Sequence, residues 1–147
     1  MCIRDSTIIA IKRREDDLFR AVSDVYPGKI NSWHFGQEEQ VPPEDDWANY
    51  LKGFTSALAA SGLLAKGMDL AVVGNVPLGA GLASSAALEI AFGTAVNESS
   101  QLRLSPLAVA QMAQRGENQY VGSASGIMDH MISALGCLLY TSPSPRD

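Results

Sequence analysis

The residues best suited to chemistry are Pro77-Leu78-Gly79-Ala80-Gly81-Leu82-Ala83-Ser84-Ser85-Ala86-Ala87, a small-residue run between an apolar stretch ending at Val73 and a segment rich in Ala, Leu, Ile and Phe. A loop leading from a strand into a helix collects backbone N–H groups at a helix N-terminus, where the positive end of the helix dipole favours an anion. Gly79 and Gly81 let the main chain approach a polyphosphate closely, and the hydroxyls of Ser84 and Ser85 can reach a phosphate or its metal ion. It is not a Walker A loop, because no Lys-Ser or Lys-Thr follows the glycines and no G-x-G-x-x-G spacing is present. The same composition would also let an Ala-rich helix pack tightly on a strand, and the loop by itself leaves both readings open. Other candidate groups lie further on. Glu117 reads from its position as a solvated charge near a helix end. Asp129 and His130 fall inside the short apolar segment 126–135, where the Asp can cap a helix. An Asp129–His130 relay lacks a serine or cysteine nucleophile in a matching pattern, and His34 has no partner in view and reads as structural.

The elements that hold these residues are legible from periodicity. Thr7 to Ile11 and Leu18 to Val22 are β-branched and aliphatic, flank the charged stretch Lys12 to Asp17, and together predict a hairpin. Tyr26-Pro27-Gly28 signals a turn, Lys29 to Phe35 a third strand, and Gln37 to Glu44 a polar loop. From Trp47 the period changes: Trp47, Tyr50, Leu51, Phe54, Ala57 and Leu58 recur at helical spacing, with Asp46 placed to cap and Gly62 to terminate the helix. Met68 to Val73 reads as a buried strand. Ser84 or Ser85 can cap a helix from Ala86 to about Asn97, whose single charge, Glu89, implies burial. Ser105-Pro106 opens another helix, to about Gln119. Strands first and helices later predict an α+β layer fold rather than a doubly wound sheet.

Composition excludes several classes. The chain has 147 residues and a formal net charge of -5, with no basic cluster beyond Lys12, Arg13 and Arg14, so no nucleic-acid surface is written into it. Its apolar runs stop well short of the ~20 residues of a membrane span. Cys2 and Cys137 form no disulfide framework and no CxxC metal site, so a reducing cytoplasm is the expected setting. Met1 to Ser6 and Cys137 to Asp147 resemble translated sequencing-adapter sequence; the expectation is that 7–136 forms one partial domain and that both ends are foreign to it.

Three motifs in order resemble the galactokinase family of the GHMP kinase superfamily. Pro77 to Ala87 is similar to the family's ATP-binding pattern Pro-x-Gly-x-Gly-Leu-(Gly or Ser)-Ser-Ser, departing only at Ala83. Trp47-Ala48-Asn49-Tyr50-Leu51-Lys52-Gly53 resembles its Trp-Ala-Asn-Tyr helix. Glu117-Asn118-Gln119-Tyr120-Val121-Gly122 with Gly126-Ile127-Met128-Asp129 resembles its Glu-Asn and Gly-Ile-Met-Asp segment, departing at Ser125 (Cys in the family) and His130 (Gln). The resemblance implies a truncated GHMP-kinase N-terminal domain of the ribosomal protein S5 domain 2-like fold. It implies ATP and Mg²⁺ as cofactors and galactose as the substrate, phosphorylated at the C1 hydroxyl by a monomer. By the same resemblance Asp129 is the catalytic carboxylate and contacts the sugar, and Gly126 admits it. Pro77, Gly79, Ala80, Gly81, Leu82, Ala83, Ser84, Ser85 and Ala86 hold the nucleotide, Trp47 and Tyr50 lie on its adenine side, and Ser85 and Glu117 hold the metal. Spacing alone equally allows Trp47 and Tyr50 to be core aromatics. The family's upstream Gly-Glu-His-Thr-Asp-Tyr motif and its C-terminal glycine-rich motif are not in the chain, so activity is expected of the full-length parent rather than of the fragment. The alternatives are another GHMP kinase, acting on N-acetylgalactosamine, mevalonate or homoserine, a galactokinase-like sugar sensor without turnover, or a domain that binds no nucleotide.

Overall fold

The structure, a computed structural model, describes residues 7–38, 47–74 and 84–141. Four strands, β1 (Thr7–Arg13), β2 (Leu18–Ser23), β3 (Asn31–His34) and β4 (Met68–Gly74), form one mixed sheet. Four helices, α1 (Asn49–Ala60), α2 (Ser84–Ser99), α3 (Pro106–Gly116) and α4 (Met128–Thr141), complete the layer, and the backbone of α4 runs into the segment from 137 onward. This is the α+β arrangement the order of elements predicts.

The strand order is β1-β4-β2-β3, which corrects the predicted hairpin: β1 and β2 do not pair. β4 lies between them, antiparallel to β1 (Ile9↔Val72) and parallel to β2 (Ala21↔Leu70). The insertion depends on Gly67, just ahead of β4. Its N–H donates to the Asp16 carbonyl at 2.8 Å, its own carbonyl accepts from the Arg14 N–H at 3.1 Å, and a Cβ there would overlap the Leu18 backbone. Only a residue without a side chain lets β4 start inside the β1–β2 connection. β2 and β3 do form an antiparallel pair, with Phe19 opposite Trp33.

Alternation along the strands sends Phe19, Ala21, Trp33, Met68, Leu70 and Val72 to one face, where they are buried. Phe92 of α2 joins that face to the helices: its ring meets Phe19, Trp33 and Phe54 edge-on at 6.1, 6.4 and 5.9 Å, while Phe19 and Trp33 stack at 5.4 Å. The indole N–H of Trp33 donates to the Thr55 hydroxyl at 3.1 Å, so the buried polar edge of the ring is satisfied.

The helices begin and end for local reasons. The predicted cap Asp46 lies outside the described residues; α1 starts at Asn49, two residues later than predicted, behind a turn at Trp47-Ala48. Its end matches expectation: Gly62 is left-handed (φ +74°), donates to the Ala59 carbonyl at 3.0 Å, and the Leu63 N–H donates to the Leu58 carbonyl at 3.1 Å. The buried face of α1 includes Leu51, Phe54, Ala57 and Leu58, while Trp47 and Tyr50 are half-buried. The Ser105 hydroxyl caps α3 by accepting from the Ala108 N–H at 3.1 Å, with Pro106 opening the helix.

Candidate functional site

Three elements converge beside the start of α2. Ser84 and Ser85 are its first two helical residues, so neither is the cap expected for a helix starting at Ala86. In the first turn their N–H groups have no intrahelical acceptor. Ala86 is buried directly behind them. The remaining nucleotide candidates, Pro77, Gly79, Ala80, Gly81, Leu82 and Ala83, lie outside the described residues.

The second element is a π-helical turn, Glu117–Val121, that continues α3 and ends at left-handed Gly122, whose N–H donates to the Glu117 carbonyl at 3.0 Å. Single π turns of this kind re-aim side chains and recur at functional sites. Glu117, its first residue, is 5% exposed rather than a solvated helix-end charge. Its Oε1 accepts from the Ser85 hydroxyl at 3.5 Å, across 32 residues of sequence.

The third element is the first turn of α4, where neighbouring residues diverge. Asp129 is exposed, whereas His130 is 1% exposed and turned inward. His130 Nε2 lies 2.7 Å from Oε2 of Glu89, itself fully buried, and 3.1 Å from Oε2 of Glu117. The Asp129–His130 relay is therefore absent in favour of an imidazole between two carboxylates. Loss of hydration opposes the imidazolium, but the hydrogen bond to Glu89 and the negative field of the two carboxylates outweigh it and raise His130 to about 9. Burial pushes Glu89 up to about 8, against the pull of His130. Burial also acts upward on Glu117, yet the charge of His130 3.1 Å away holds it below its ordinary range. Tyr50, on α1, is raised by burial and by the charges of Glu117 and Glu89, which places its phenol in the field of this cluster.

The segment leading to Asp129 is clasped to the π turn. Asn118 Oδ1 accepts from the backbone N–H of Ser125 at 2.9 Å and from its hydroxyl at 3.0 Å. The amides of Asn118 and Gln114 donate to the Ser125 carbonyl at 3.2 and 3.1 Å. A Cβ on Gly126 would meet no atom within 4 Å, so packing does not require glycine there.

Trp47 occupies a separate part of the same region. Its ring stacks on Tyr26 (6.4 Å, interplanar 3°), and both line a mainly apolar cavity with Thr7, Val72, Ser84 and Leu88. Tyr50 does not line that cavity, so the structure separates two aromatics that the sequence groups on one helix face. His34, read as partnerless, pairs with Asp17 at 2.8 Å on the surface.

Ser85 and Glu117 present two oxygens 3.5 Å apart. Magnesium takes oxygen ligands at about 2.0–2.1 Å, so two donors up to about 4.2 Å apart can share one ion, and this pair fits. Sequence reasoning missed Glu89 and Tyr26 as parts of the region, and weighed His130 only against Asp129 rather than against the two glutamates it meets. Glu89 carried a signal as the only charge in a helix that must be buried; Tyr26 carried none beyond its turn.

The family description "GHMP kinases N terminal domain" matches residues 49–137, more than half of the chain. Among solved structures, the galactokinase of Lactococcus lactis, complexed with galactose, is similar at a TM-score of 0.80 and 30% identity, over 88% of this chain and 33% of that one. The mevalonate kinase of Methanococcus jannaschii is similar at a TM-score of 0.68 and 21% identity, over 86% of this chain and 40% of that one. The D-glycero-D-manno-heptose 1-phosphate kinase of Bacteroides thetaiotaomicron gives a TM-score of 0.67 at 19% identity, over 86% and 40%. The last two likenesses are of fold alone, and the chain spans about a third to two-fifths of the length of these solved relatives.

Proposed function

Because the chain belongs to the GHMP kinase family, we propose that it is the nucleotide-binding part of a cytoplasmic, monomeric galactokinase, which transfers the γ-phosphoryl group of ATP to the C1 hydroxyl of galactose. The observation that carries this reading is the convergence of Ser85, Glu117 and the first turn of α4 beside the N-terminus of α2. Likeness to a galactokinase at 30% identity supports galactose over mevalonate or a heptose phosphate, the kinases of Methanococcus jannaschii and Bacteroides thetaiotaomicron being similar at 21% and 19%.

In this reading the loop 77–83 and the first N–H groups of α2 cradle the phosphates, with Ser84 and Ala86 completing the turn. Trp47, with Tyr26 against it, bounds the adenine side, and Tyr50 supports the buried carboxylates. Ser85 and Glu117 hold Mg²⁺, which supplies charge neutralisation at the β- and γ-phosphates when bound. Gly126 leaves room for the sugar beside the backbone. Asp129 accepts a hydrogen bond from the C1 hydroxyl and orients it. As the hydroxyl oxygen bonds to the γ-phosphorus, the bond to the departing ADP oxygen breaks and the proton passes to the Asp129 carboxylate.

The test is a phosphotransfer assay on the full-length parent protein with galactose, N-acetylgalactosamine, glucose and mevalonate, beside its Asp129→Asn variant. Turnover of galactose that falls by about 10²–10⁴-fold in the variant is the expected result. Binding of ATP and galactose without turnover would make the protein a sensor; turnover of another acceptor would overturn the substrate and keep the kinase.

A further inference from the structure

We propose that Glu89 and His130 are positioning residues that hold Glu117 in the orientation in which it meets Ser85, and so set the affinity of the metal-nucleotide site. The inference rests on the reading of Ser85 and Glu117 as the metal-holding pair. Glu117 is the first residue of a π turn, and the backbone alone does not fix which staggered rotamer its side chain takes. Its two oxygens face different groups: Oε1 accepts from Ser85 at 3.5 Å, and Oε2 lies 3.1 Å from His130 Nε2 in an ion-pair contact outside hydrogen-bond geometry, the Nε2 hydrogen bond going to Glu89. Fixing one oxygen fixes the other, because a carboxylate is rigid and planar. His130 is in turn fixed by Glu89 at 2.7 Å, and both are buried, so neither can swing into water. The chain of contacts runs from α2 through α4 to the π turn and back to α2, one residue beyond its first. Groups behind a ligand tune affinity by orienting it and are costly to remove.

The same contacts would serve a stability role only if Glu117 were indifferent to them, and the two roles separate experimentally. The purified protein is titrated with Mn²⁺ in the presence of a non-hydrolysable ATP analogue, with free Mn²⁺ read by electron paramagnetic resonance, alongside a thermal melt. In Glu89→Leu/His130→Leu, the hydrogen-bonded Glu89 and His130 are replaced together by apolar groups, which leaves the buried Glu117 carboxylate without its cationic neighbour. The Mn²⁺ dissociation constant of this double variant is expected to rise about 10–100-fold, with a lower melting temperature but a single unfolding transition retained. His130→Gln, whose amide offers two N–H groups to the two carboxylates, is expected to restore affinity to within about twofold of the parent. Should the double variant not fold, Glu89→Gln takes its place, and a severalfold rise is expected.

An unchanged Mn²⁺ affinity in the Leu/Leu or Glu89→Gln protein, with a loss in Glu117→Gln, would overturn the positioning role and leave the metal reading intact. No loss in Glu117→Gln would overturn both together. A shifted melting temperature with unchanged affinity would assign the pair to the fold alone.

Discussion

A histidine between two glutamates is the unusual chemistry at the residue scale. Glu89 and His130 are withdrawn from water, so each holds its protons only as tightly as its neighbours dictate. His130 titrates near 9 when folded and near 6.5 when free, so its stabilising contribution is complete below about pH 6.5 and is lost as pH rises through 9. Glu89, raised to about 8, takes up a proton on folding between about pH 4.5 and 8, and its effect has the same sign. Glu117 is already ionised throughout that range, and Tyr50 titrates above it. The melting temperature should therefore decline between pH 6.5 and 9, and Glu89→Leu/His130→Leu should flatten the decline. A parent curve that is level across this window would refute the protonation scheme. Asp129 has the opposite fate from its neighbour because one residue of α4 turns a side chain by about 100°; its exposure is what the proposed contact with a sugar requires.

At the element scale, the site depends on how closely α1 and α3 approach. Gly53 and Gly116 face each other: a Cβ on Gly116 would lie 2.5 Å from the Gly53 carbonyl group, and one on Gly53 would lie 2.8 Å from the Gly116 oxygen. Backbone against backbone cannot be relieved by a rotamer change, so the helices would have to part. Gly116→Ala should cost about 1–3 kcal/mol in urea unfolding, and, being next to Glu117, should weaken metal-nucleotide binding as well. Gly126→Ala provides the contrast. With open space around it, the change should leave stability within about 0.5 kcal/mol yet raise the KM for galactose, if the sugar approaches that backbone. A KM equal to that of the parent would remove Gly126 from the site.

For the whole molecule, the sheet and the helices are joined through a cluster of aromatic rings rather than by separate pairwise contacts. Phe92 is its centre, touching two sheet residues and one of α1. Phe92→Ala should cost about 3–5 kcal/mol, seen as a lower urea midpoint with a single transition. Two transitions would mean that sheet and helices unfold separately and that the cluster does not couple them. The opposite face of the sheet carries ion pairs, Arg14 and Arg20 to Asp69. Arg20 is exposed while Arg14 and Asp69 are half-buried, so Asp69→Ala should lower the urea midpoint by a small amount.

The sequence alone determined most of what is local. Short β-branched and apolar runs located β1, β2 and β4, alternation located β3, the three-to-four spacing located α1, and Ser105-Pro106 and Gly62 marked helix ends, because those signals act between residues a few positions apart. The glycine-serine run and the order of the three motifs pointed to the phosphate chemistry and the family. Tertiary structure decided the rest. β4 enters between β1 and β2 because Gly67 admits it at a distance of some fifty residues, which no hairpin pattern encodes. Glu89 and His130 meet across 41 positions, and a helical glutamate and a histidine carry no local mark of their partner. The π turn that aims Glu117 arises where α3 lies against α1. Short-range preference is written in neighbouring side chains, whereas the pairing of buried charges exists only once the chain has closed around them.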